Sequence, residues 1–295
     1  MPTALSRRQL IGLVVLTLMW GLNWPVMKLS LREIGPLHFR ALTMALGAVG
    51  LALFFRARGL RLLPRGAGEW RHVLVLGLPN ILGWHGLSII GLTQLPAGRA
   101  AILGFTMPVW TVLLGVLFYR EQLSNRLIVA AVAVLAAIGL LLASELGNLA
   151  GRPVGILWMQ GAAICWALGT IWTRRLPTTL PTEALIVWMM AFGALTMGLL
   201  AGMLEAPQRY DFSVPVWLSL IYGVLINYGA AQVLWFSLAR ALPPSTSAMS
   251  VMAIPLIGIM SATVIVGEWP HWQDFAAVGC VMLAIAAVLL PRRGA

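Results

Sequence analysis

Charged residues are scarce in this chain, and their scarcity excludes most classes of soluble protein. Aspartate, glutamate, lysine and arginine together make up 10% of the 295 residues, against about 25% in ordinary globular proteins. Hydrophobic residues make up 60%, so a soluble fold of this size could not cover its surface with polar groups. The composition excludes a soluble enzyme, a secreted disulfide scaffold and a disordered chain, and it indicates a polytopic membrane protein.

Acidic residues, cysteines and catalytic motifs are also few. The nine acidic residues all fall in loops or at the ends of predicted helices, which argues against a mid-membrane carboxylate that exchanges a proton for a cationic solute. Cys165 and Cys280 lie in apolar stretches without metal-ligand spacing, so we interpret them as buried thiols. We find no Ser-His-Asp set, no metal-ligand cluster and no phosphate-binding glycine loop. We therefore expect no enzymatic activity, no catalytic residue, no metal and no cofactor.

Ten apolar runs, separated by proline, glycine and charge, predict an all-α integral membrane protein with ten transmembrane helices. The predicted spans are 9–28, 37–55, 73–93, 97–118, 127–145, 154–173, 183–204, 216–238, 244–266 and 272–290.

The net charge of +11 does not indicate nucleic-acid binding here; the distribution of the basic residues along the chain reports orientation instead. With ten helices the loops alternate between the two sides, and most of the 20 basic residues fall on the side of the two termini. The loop 56–72 contributes most. Because basic residues mark the cytoplasmic face, we expect a multi-pass inner-membrane protein, surrounded by lipid, with both termini in the cytoplasm. We expect a monomer and no nucleic-acid partner.

An internal repeat is the most informative feature of the sequence. A shift of 147 residues aligns polar and proline positions that chance rarely matches: Asn80 with Asn227, Leu95-Pro96 with Leu242-Pro243, Pro108 with Pro255, and Glu121 with Glu268. The repeat divides the chain into residues 1–147 and 148–295, with five predicted helices in each half. An odd number of helices per copy inserts the second copy in the opposite direction, and such inverted repeats are typical of alternating-access transporters.

The chain resembles the EamA-type branch of the drug/metabolite transporter superfamily over essentially its whole length. The motifs that carry the resemblance are Trp20-Gly21 with Lys28, Leu95-Pro96-Ala97 through Ala100-Ala101 to Met107-Pro108, Glu121, and the recurring Leu242-Pro243, Pro255 and Glu268. Within that family it is most similar to the YddG-type inner-membrane exporters of aromatic amino acids and methyl viologen. The resemblance implies ten helices, a central cavity and efflux from the cytoplasm.

Polar side chains at mid-helix depth are the first candidates for a substrate site, because polar groups in a bilayer must pair or line a wet cavity. Two predicted helices carry such sets: Asn80, Trp84 and His85 on the third, and Asn227, Tyr228 and Gln232 on the eighth. The shift of 147 pairs Asn80 with Asn227 and His85 with Gln232. We predict that these residues line the cavity; hydrogen bonding between helices is the alternative that stays open.

Two prolines and their neighbours are candidate moving parts. Pro108 and Pro255 lie in the middle of the fourth and ninth predicted helices, where each removes a backbone hydrogen bond. A gating hinge and a static bend are both open interpretations. Phe105 and Met107, just before Pro108, line the cavity in one interpretation and are packing residues in the other.

Tryptophan is abundant, with 13 copies, and several copies are placed to form a wall around a solute. Trp20 and Trp24 lie on one face of the first predicted helix, and Trp166 lies on the sixth. Packing against lipid is the alternative for each. As a set, such rings suit flat, weakly polar or cationic solutes through stacking and cation–π contact. We expect the site itself to be uncharged, because Arg40 and Arg99 lie close enough to the predicted outer boundary for their side chains to reach the surface.

The sequence therefore predicts an exporter of amino acids, especially aromatic ones, and of flat amphipathic cations such as methyl viologen. Without mid-membrane carboxylates, transport is expected to be passive or weakly coupled to protons through His85. Export of other small metabolites and a scaffold that transports nothing are the alternatives.

Overall fold

The computed structural model describes residues 6–120, 122–147, 152–241 and 252–289, and within these ranges the regular secondary structure is entirely helical. We number the helices along the chain. They are α1 (Arg7–Ser30), α2 (Pro36–Ala57), α3 (Ala67–Gln94), α4 (Ala97–Tyr119), α5 (Asn125–Gly147), α6 (Val154–Arg175), α7 (Thr182–Leu204), α8 (214–241), α9 (Ile254–Ile265) and α10 (Trp272–Leu289).

In the part of the chain that the structure describes, eight helices are long and apolar enough to cross a membrane, and these are α1 to α8. The α9 and α10 helices are shorter apolar helices at the positions of the ninth and tenth predicted spans. The start of the ninth predicted span, the Leu242-Pro243 motif and Glu121 lie outside the described residues.

The first turns of α3 were missed by the sequence prediction, which places the start of this helix at residue 73. The segment is polar, and its helix is stabilised by a carboxylate rather than by apolar burial. Glu69 accepts two hydrogen bonds from the Arg61 guanidinium, at 3.0 and 3.1 Å, and a third from the Thr179 hydroxyl at 2.6 Å. Since these partners lie eight and 110 residues away, a hydropathy pattern cannot reveal them.

The helices pair in a pattern that relates the two halves of the chain. The α2 helix packs against α7, and α5 packs against α10. The α1 helix packs against α9, while α4 and the second half of α3 pack against α6. The α8 helix packs against α1 as well. With this pair included, exchanging each helix for the one five positions along the chain turns every pair into itself or into another pair of the set.

Small residues let α9 approach both α1 and α4 closely. A Cβ atom on Gly21 of α1 would lie 2.7 Å from the Cβ of Ile257, and one on Gly98 of α4 would lie 2.8 Å from the Cγ1 of Ile259. Close backbone approach at small residues is the usual way in which membrane helices gain packing contacts. The α9 helix is therefore held between α1 and α4.

Large apolar side chains cover the outside of the bundle. Leu117 of α4, Leu135 of α5, Leu199 of α7 and Val264 of α9 are all more than half exposed. An exposed apolar surface of this kind is expected of a protein whose solvent is lipid.

Candidate functional site

Two π-helical stretches interrupt the bundle at the polar positions that the sequence singles out. Residues Leu78–Gly86 of α3 and Tyr222–Ala230 of α8 are π-helical, and each stretch is nine residues long. The first carries Asn80, Trp84 and His85, and the second carries Asn227 and Tyr228. A π-helical turn shifts the direction of the side chains that follow and is frequent at functional sites. Neither stretch is predicted from the sequence.

Trp84 lies at the centre of an aromatic cluster. Its ring centroid is 5.3 Å from that of Trp166 on α6 and 6.4 Å from that of Trp24 on α1, the latter in an edge-to-face arrangement. The neighbouring His85 ring lies 5.7 Å from the ring of Tyr228 on α8. Four helices from the two halves of the chain therefore bring five predicted site residues together.

Trp20 lies apart from this cluster. It is half-buried, and its ring centroid is 5.5 Å from that of Trp235 on α8. The predicted aromatic wall is thus divided between the cluster around Trp84 and a separate contact between α1 and α8.

The predicted amide positions differ in their surroundings. Asn80 donates a hydrogen bond from Nδ2 to the Leu76 carbonyl at 2.9 Å, and its amide lies against Gly169 of α6. Asn227 is buried, whereas Gln232 is half-buried and belongs to the ordinary α-helix that follows the π-helical stretch. The sequence shift that pairs His85 with Gln232 therefore does not give the two residues equivalent backbone positions.

The α4 helix breaks beside the aromatic cluster. Its first part ends at Gly104 and its second begins at Met107, with Pro108 at the second position. A Cβ on Gly104 would lie 3.1 Å from the Trp24 ring and 3.2 Å from the Trp84 ring, so the break lies against the cluster. Pro255 has the same position in α9, which begins at Ile254. The structure thus places both predicted hinge prolines at helix starts, and their movement stays a prediction.

Phe105 and Met107 flank the break but have unequal exposure. Phe105 is 6% exposed and belongs to the hydrophobic core, while Met107 is half-buried against that core. Whether either residue contacts a solute stays a prediction.

Gln160 of α6 is a polar residue at this break that the sequence analysis missed. Its Oε1 accepts hydrogen bonds from the Trp110 indole at 2.8 Å and from the Thr106 hydroxyl at 3.2 Å, and its Nε2 donates to the Leu103 carbonyl at 3.3 Å. Gln160 therefore joins the two parts of α4 to α6. Its depth in an apolar helix is the signal that could have identified it.

Arg40 contradicts the prediction that the site is uncharged and that this side chain reaches the surface. It is 3% exposed, and its Nη1 donates a hydrogen bond to the Tyr228 hydroxyl at 3.0 Å. That hydroxyl also lies 3.3 Å from Nδ1 of His85. A guanidinium group is therefore buried directly beside the predicted site.

Arg99 is also buried, so the prediction that its side chain reaches the surface is wrong. As with Arg40, the side chain has hydrogen-bond partners inside the protein. Its Nε donates to Asp274 at 2.7 Å, its Nη1 donates to Glu145, and its Nη2 donates to the Ser144 hydroxyl at 2.9 Å. The two carboxylates come from α5 and α10, so Arg99 joins α4 to both.

Lys28 and Glu268 hold the connection between α3 and α4. The Lys28 ammonium donates to the carbonyls of Leu92 and Leu95, at 2.7 and 2.9 Å, and Glu268 accepts from the Ala97 N–H at 2.6 Å. Burial raises the pKa of the Glu268 carboxyl above its ordinary value. A cavity of about 450 Å³ opens beside Glu268, and among the described residues no group of three histidine, cysteine or acidic side chains is arranged to hold a metal ion.

Comparison with known proteins shows relatives along the whole chain. A protein from Salmonella typhimurium named "Probable amino-acid metabolite efflux pump" is 28% identical over 300 residues, covering 95% of this chain and 94% of that protein. "Uncharacterized transporter YvbV" of Bacillus subtilis is 25% identical over 256 residues, covering 87% and 83%. "Uncharacterized inner membrane transporter YedA" of Escherichia coli is 24% identical over 284 residues, covering 95% and 90%.

The fold and the family agree with these relatives. A chain of known crystal structure superposes with a TM-score of 0.66 at 21% identity, covering 94% of this chain and 96% of its own length; at that identity the likeness shows the fold alone. The sequence model of the EamA-like transporter family matches this chain twice, over residues 7–143 and 153–290. Together with the apolar helices long enough to span a bilayer, these matches show that the chain is a membrane protein that belongs to the EamA-like transporter family.

Proposed function

We propose that this protein exports amino acids, especially aromatic ones, and flat amphipathic cations such as methyl viologen, as the YddG-type exporters do. The observation that carries the proposal is the aromatic cluster around Trp84, which α1, α3, α6 and α8 build from both halves of the chain. Aromatic pairs gain about 0.5–1.5 kcal/mol beyond the burial of their area. A flat ring that packs against Trp84 or Trp166 gains the same kind of contact.

The mechanism that we propose is alternating access between two inverted five-helix repeats, residues 1–147 and 148–295. The exchange relation between the packing pairs supports it, because α2 packs against α7 and α5 against α10, and each of these helices is the counterpart of its partner in the other half. The break at Pro108 interrupts α4, and Pro255 has the matching position at the start of α9. Interrupted helices beside a midplane site are typical of transporters built from inverted repeats.

The proposed setting follows from the same architecture. The protein works as a monomer of ten membrane-spanning helices in the bacterial inner membrane, with both termini in the cytoplasm and lipid as its other partner. The basic loop 56–72 supports this orientation, and the YedA relative is named an inner membrane transporter.

Amino-acid metabolites are the second substrate class with a specific observation in their favour. The relative with 28% identity is named a probable amino-acid metabolite efflux pump. Such solutes share the amino and carboxyl groups of amino acids, and half-buried amides such as Asn80 and Gln232 offer both hydrogen-bond donors and acceptors.

The driving force that we propose is the solute gradient itself, with weak proton coupling through His85 as the alternative form. Purified protein in liposomes with an imposed proton gradient distinguishes the two. No uphill accumulation of phenylalanine supports passive transport, and accumulation that His85→Ala abolishes supports the relay. Accumulation that survives His85→Ala contradicts both.

Flux of radiolabelled phenylalanine from proteoliposomes tests the proposed function. We expect saturable efflux from wild-type vesicles and clearly lower efflux with Asn80→Ala and Asn227→Ala. Asn125→Ala is the matched control, because Asn125 is exposed at the start of α5, and its efflux is expected to equal that of the wild type. Wild-type vesicles that carry neither amino acids nor methyl viologen would contradict the proposal and favour a scaffold.

A further inference from the structure

Arg40 is a buried cation whose hydrogen-bonding capacity is only partly used. It is 3% exposed, its Nη1 donates to the Tyr228 hydroxyl, and its Nε is buried without a hydrogen-bond partner in the described part of the chain. Arg99, the other deeply buried arginine of the described residues, has two carboxylates and a hydroxyl as acceptors. Arg99 therefore has carboxylates to balance its charge, whereas Arg40 has none within the described ranges.

No carboxylate of the described residues neutralises Arg40. The ion pairs in these ranges join His38 to Glu205, Arg61 to Glu69, and Arg99 to Glu145 and Asp274. Glu205, at the same end of α2, already accepts from the backbone N–H groups of Leu37 and His38 and contacts the His38 ring at 2.6 Å. A charge in a protein interior is costly unless it is paired and hydrogen-bonded, so Arg40 is suited to a partner that arrives from outside the chain.

We infer that Arg40 binds the carboxylate of the transported amino acid, which makes carboxylate-bearing solutes with a flat apolar group the preferred substrates of this site. The inference rests on the proposed function and deepens it. A guanidinium group recognises carboxylates through parallel charge-assisted hydrogen bonds, and the unpartnered Nε is one of the donors that such a pair uses.

The contacts around Arg40 are continuous with the aromatic cluster. The Tyr228 hydroxyl links Arg40 to His85, and the His85 ring lies 6.4 Å from the ring of Trp84. A solute whose carboxylate is on Arg40 therefore meets aromatic side chains next to it. Aromatic amino acids have both groups, whereas methyl viologen has the ring system without a carboxylate and would use the aromatic contacts alone.

Efflux of three related solutes from proteoliposomes tests this inference. Phenylalanine and 3-phenylpropionate have the ring and the carboxylate, and phenylalaninamide has the ring without the carboxylate. For Arg40→Gln we expect the efflux of both carboxylates to fall by about 10- to 100-fold, the equivalent of one charge-assisted hydrogen bond. We expect phenylalaninamide efflux to stay within about twofold of the wild-type rate, and Arg40→Lys, which keeps the charge without the planar fork, to lie between the two.

Two results would overturn the inference and leave the proposed function standing. One is wild-type efflux of phenylalaninamide as fast as that of phenylalanine. The other is an Arg40→Gln effect that is equal for all three solutes. Wild-type vesicles that carry none of the three would instead overturn the proposed function, and the inference with it.

Thermal unfolding in detergent separates binding from a structural role. An unpaired buried charge opposes folding, so Arg40→Gln is expected to unfold at the same temperature as the wild type or at a higher one. The opposite result is a clearly lower unfolding temperature for Arg40→Gln, together with an Arg40→Lys variant that restores stability but not the preference for carboxylates. That result would show that Arg40 serves to hold α2 to α8, and it would overturn the inference.

Discussion

Replacing Gly169 with alanine tests how closely α6 approaches the π-helical stretch of α3. The new Cβ would overlap the Asn80 amide, with its Nδ2 only 2.6 Å away, so the amide must move. Its movement breaks the hydrogen bond to the Leu76 carbonyl. Overpacking costs about 1–3 kcal/mol and a lost hydrogen bond about 0.5–1.5 kcal/mol, so we expect the free energy of unfolding to fall by about 2–4 kcal/mol.

Chemical unfolding in detergent micelles measures this change. Gly139→Ala is the matched control, because a Cβ at Gly139 of α5 meets no atom within 4 Å, and there alanine is expected to stabilise the helix by about 0.5–1 kcal/mol. In an Asn80→Ala background the overlapping atoms are absent, so Gly169→Ala should cost little. A Gly169→Ala variant that loses no more stability than Gly139→Ala would refute the close approach of α6 to Asn80, and so would an equal loss with and without Asn80.

Two further predictions concern the charged contacts outside the aromatic cluster. Arg99→Leu leaves the buried carboxylates of Glu145 and Asp274 without their cation and is expected to lower the free energy of unfolding by about 3–5 kcal/mol. Adding Glu145→Gln and Asp274→Asn to this variant should recover most of the lost stability. No recovery in the triple variant would contradict the assigned ion pairs. Burial raises the pKa of the Glu268 carboxyl above its ordinary value of 4.5, so the folded protein binds this proton more tightly than the unfolded chain. The contribution of Glu268 to stability is therefore complete below about pH 4.5 and is lost as the pH rises through the higher folded pKa. The wild-type unfolding temperature relative to Glu268→Gln should therefore fall from pH 4.5 to pH 7, and an unchanged difference would refute this.

Much of the fold follows from the sequence because membrane helices are encoded locally. A run of about 20 apolar residues predicts a spanning helix whatever surrounds it, and α4 and α6 begin where they were predicted. Proline at the start of a helix is equally local, which is why the interruption at Pro108 could be anticipated. The start of α3 was missed because Glu69 depends on partners distant in sequence.

The cluster around Trp84 consists of residues that the sequence singles out, but the charge beside it and its backbone geometry do not follow from the sequence. His85 stands out in the sequence because a polar group at that depth is expensive unless it is used, and Trp84 stands out as an aromatic ring directly beside it. The burial of Arg40 was not predicted, since its partner Tyr228 lies 188 residues along the chain, and position near a helix end suggested water instead. Neither π-helical stretch has a residue pattern of its own, because the extra residue in each turn is accommodated by packing against neighbouring helices.

Protection of Cys165 from modification is the most direct test of the central claim that the solute passes through the aromatic cluster. The Cys165 side chain lies against Gly83, and a Cβ on Gly83 would be 2.6 Å from the Cys165 sulfur. Gly83 precedes Trp84 in the sequence, and Cys165 precedes Trp166. In a Cys280→Ala variant in liposomes, phenylalanine at concentrations that saturate efflux is expected to slow the reaction of Cys165 with a small thiol reagent. The reaction of Cys280 in the reciprocal Cys165→Ala variant should not change. An unaltered Cys165 rate under saturating phenylalanine would contradict the claim.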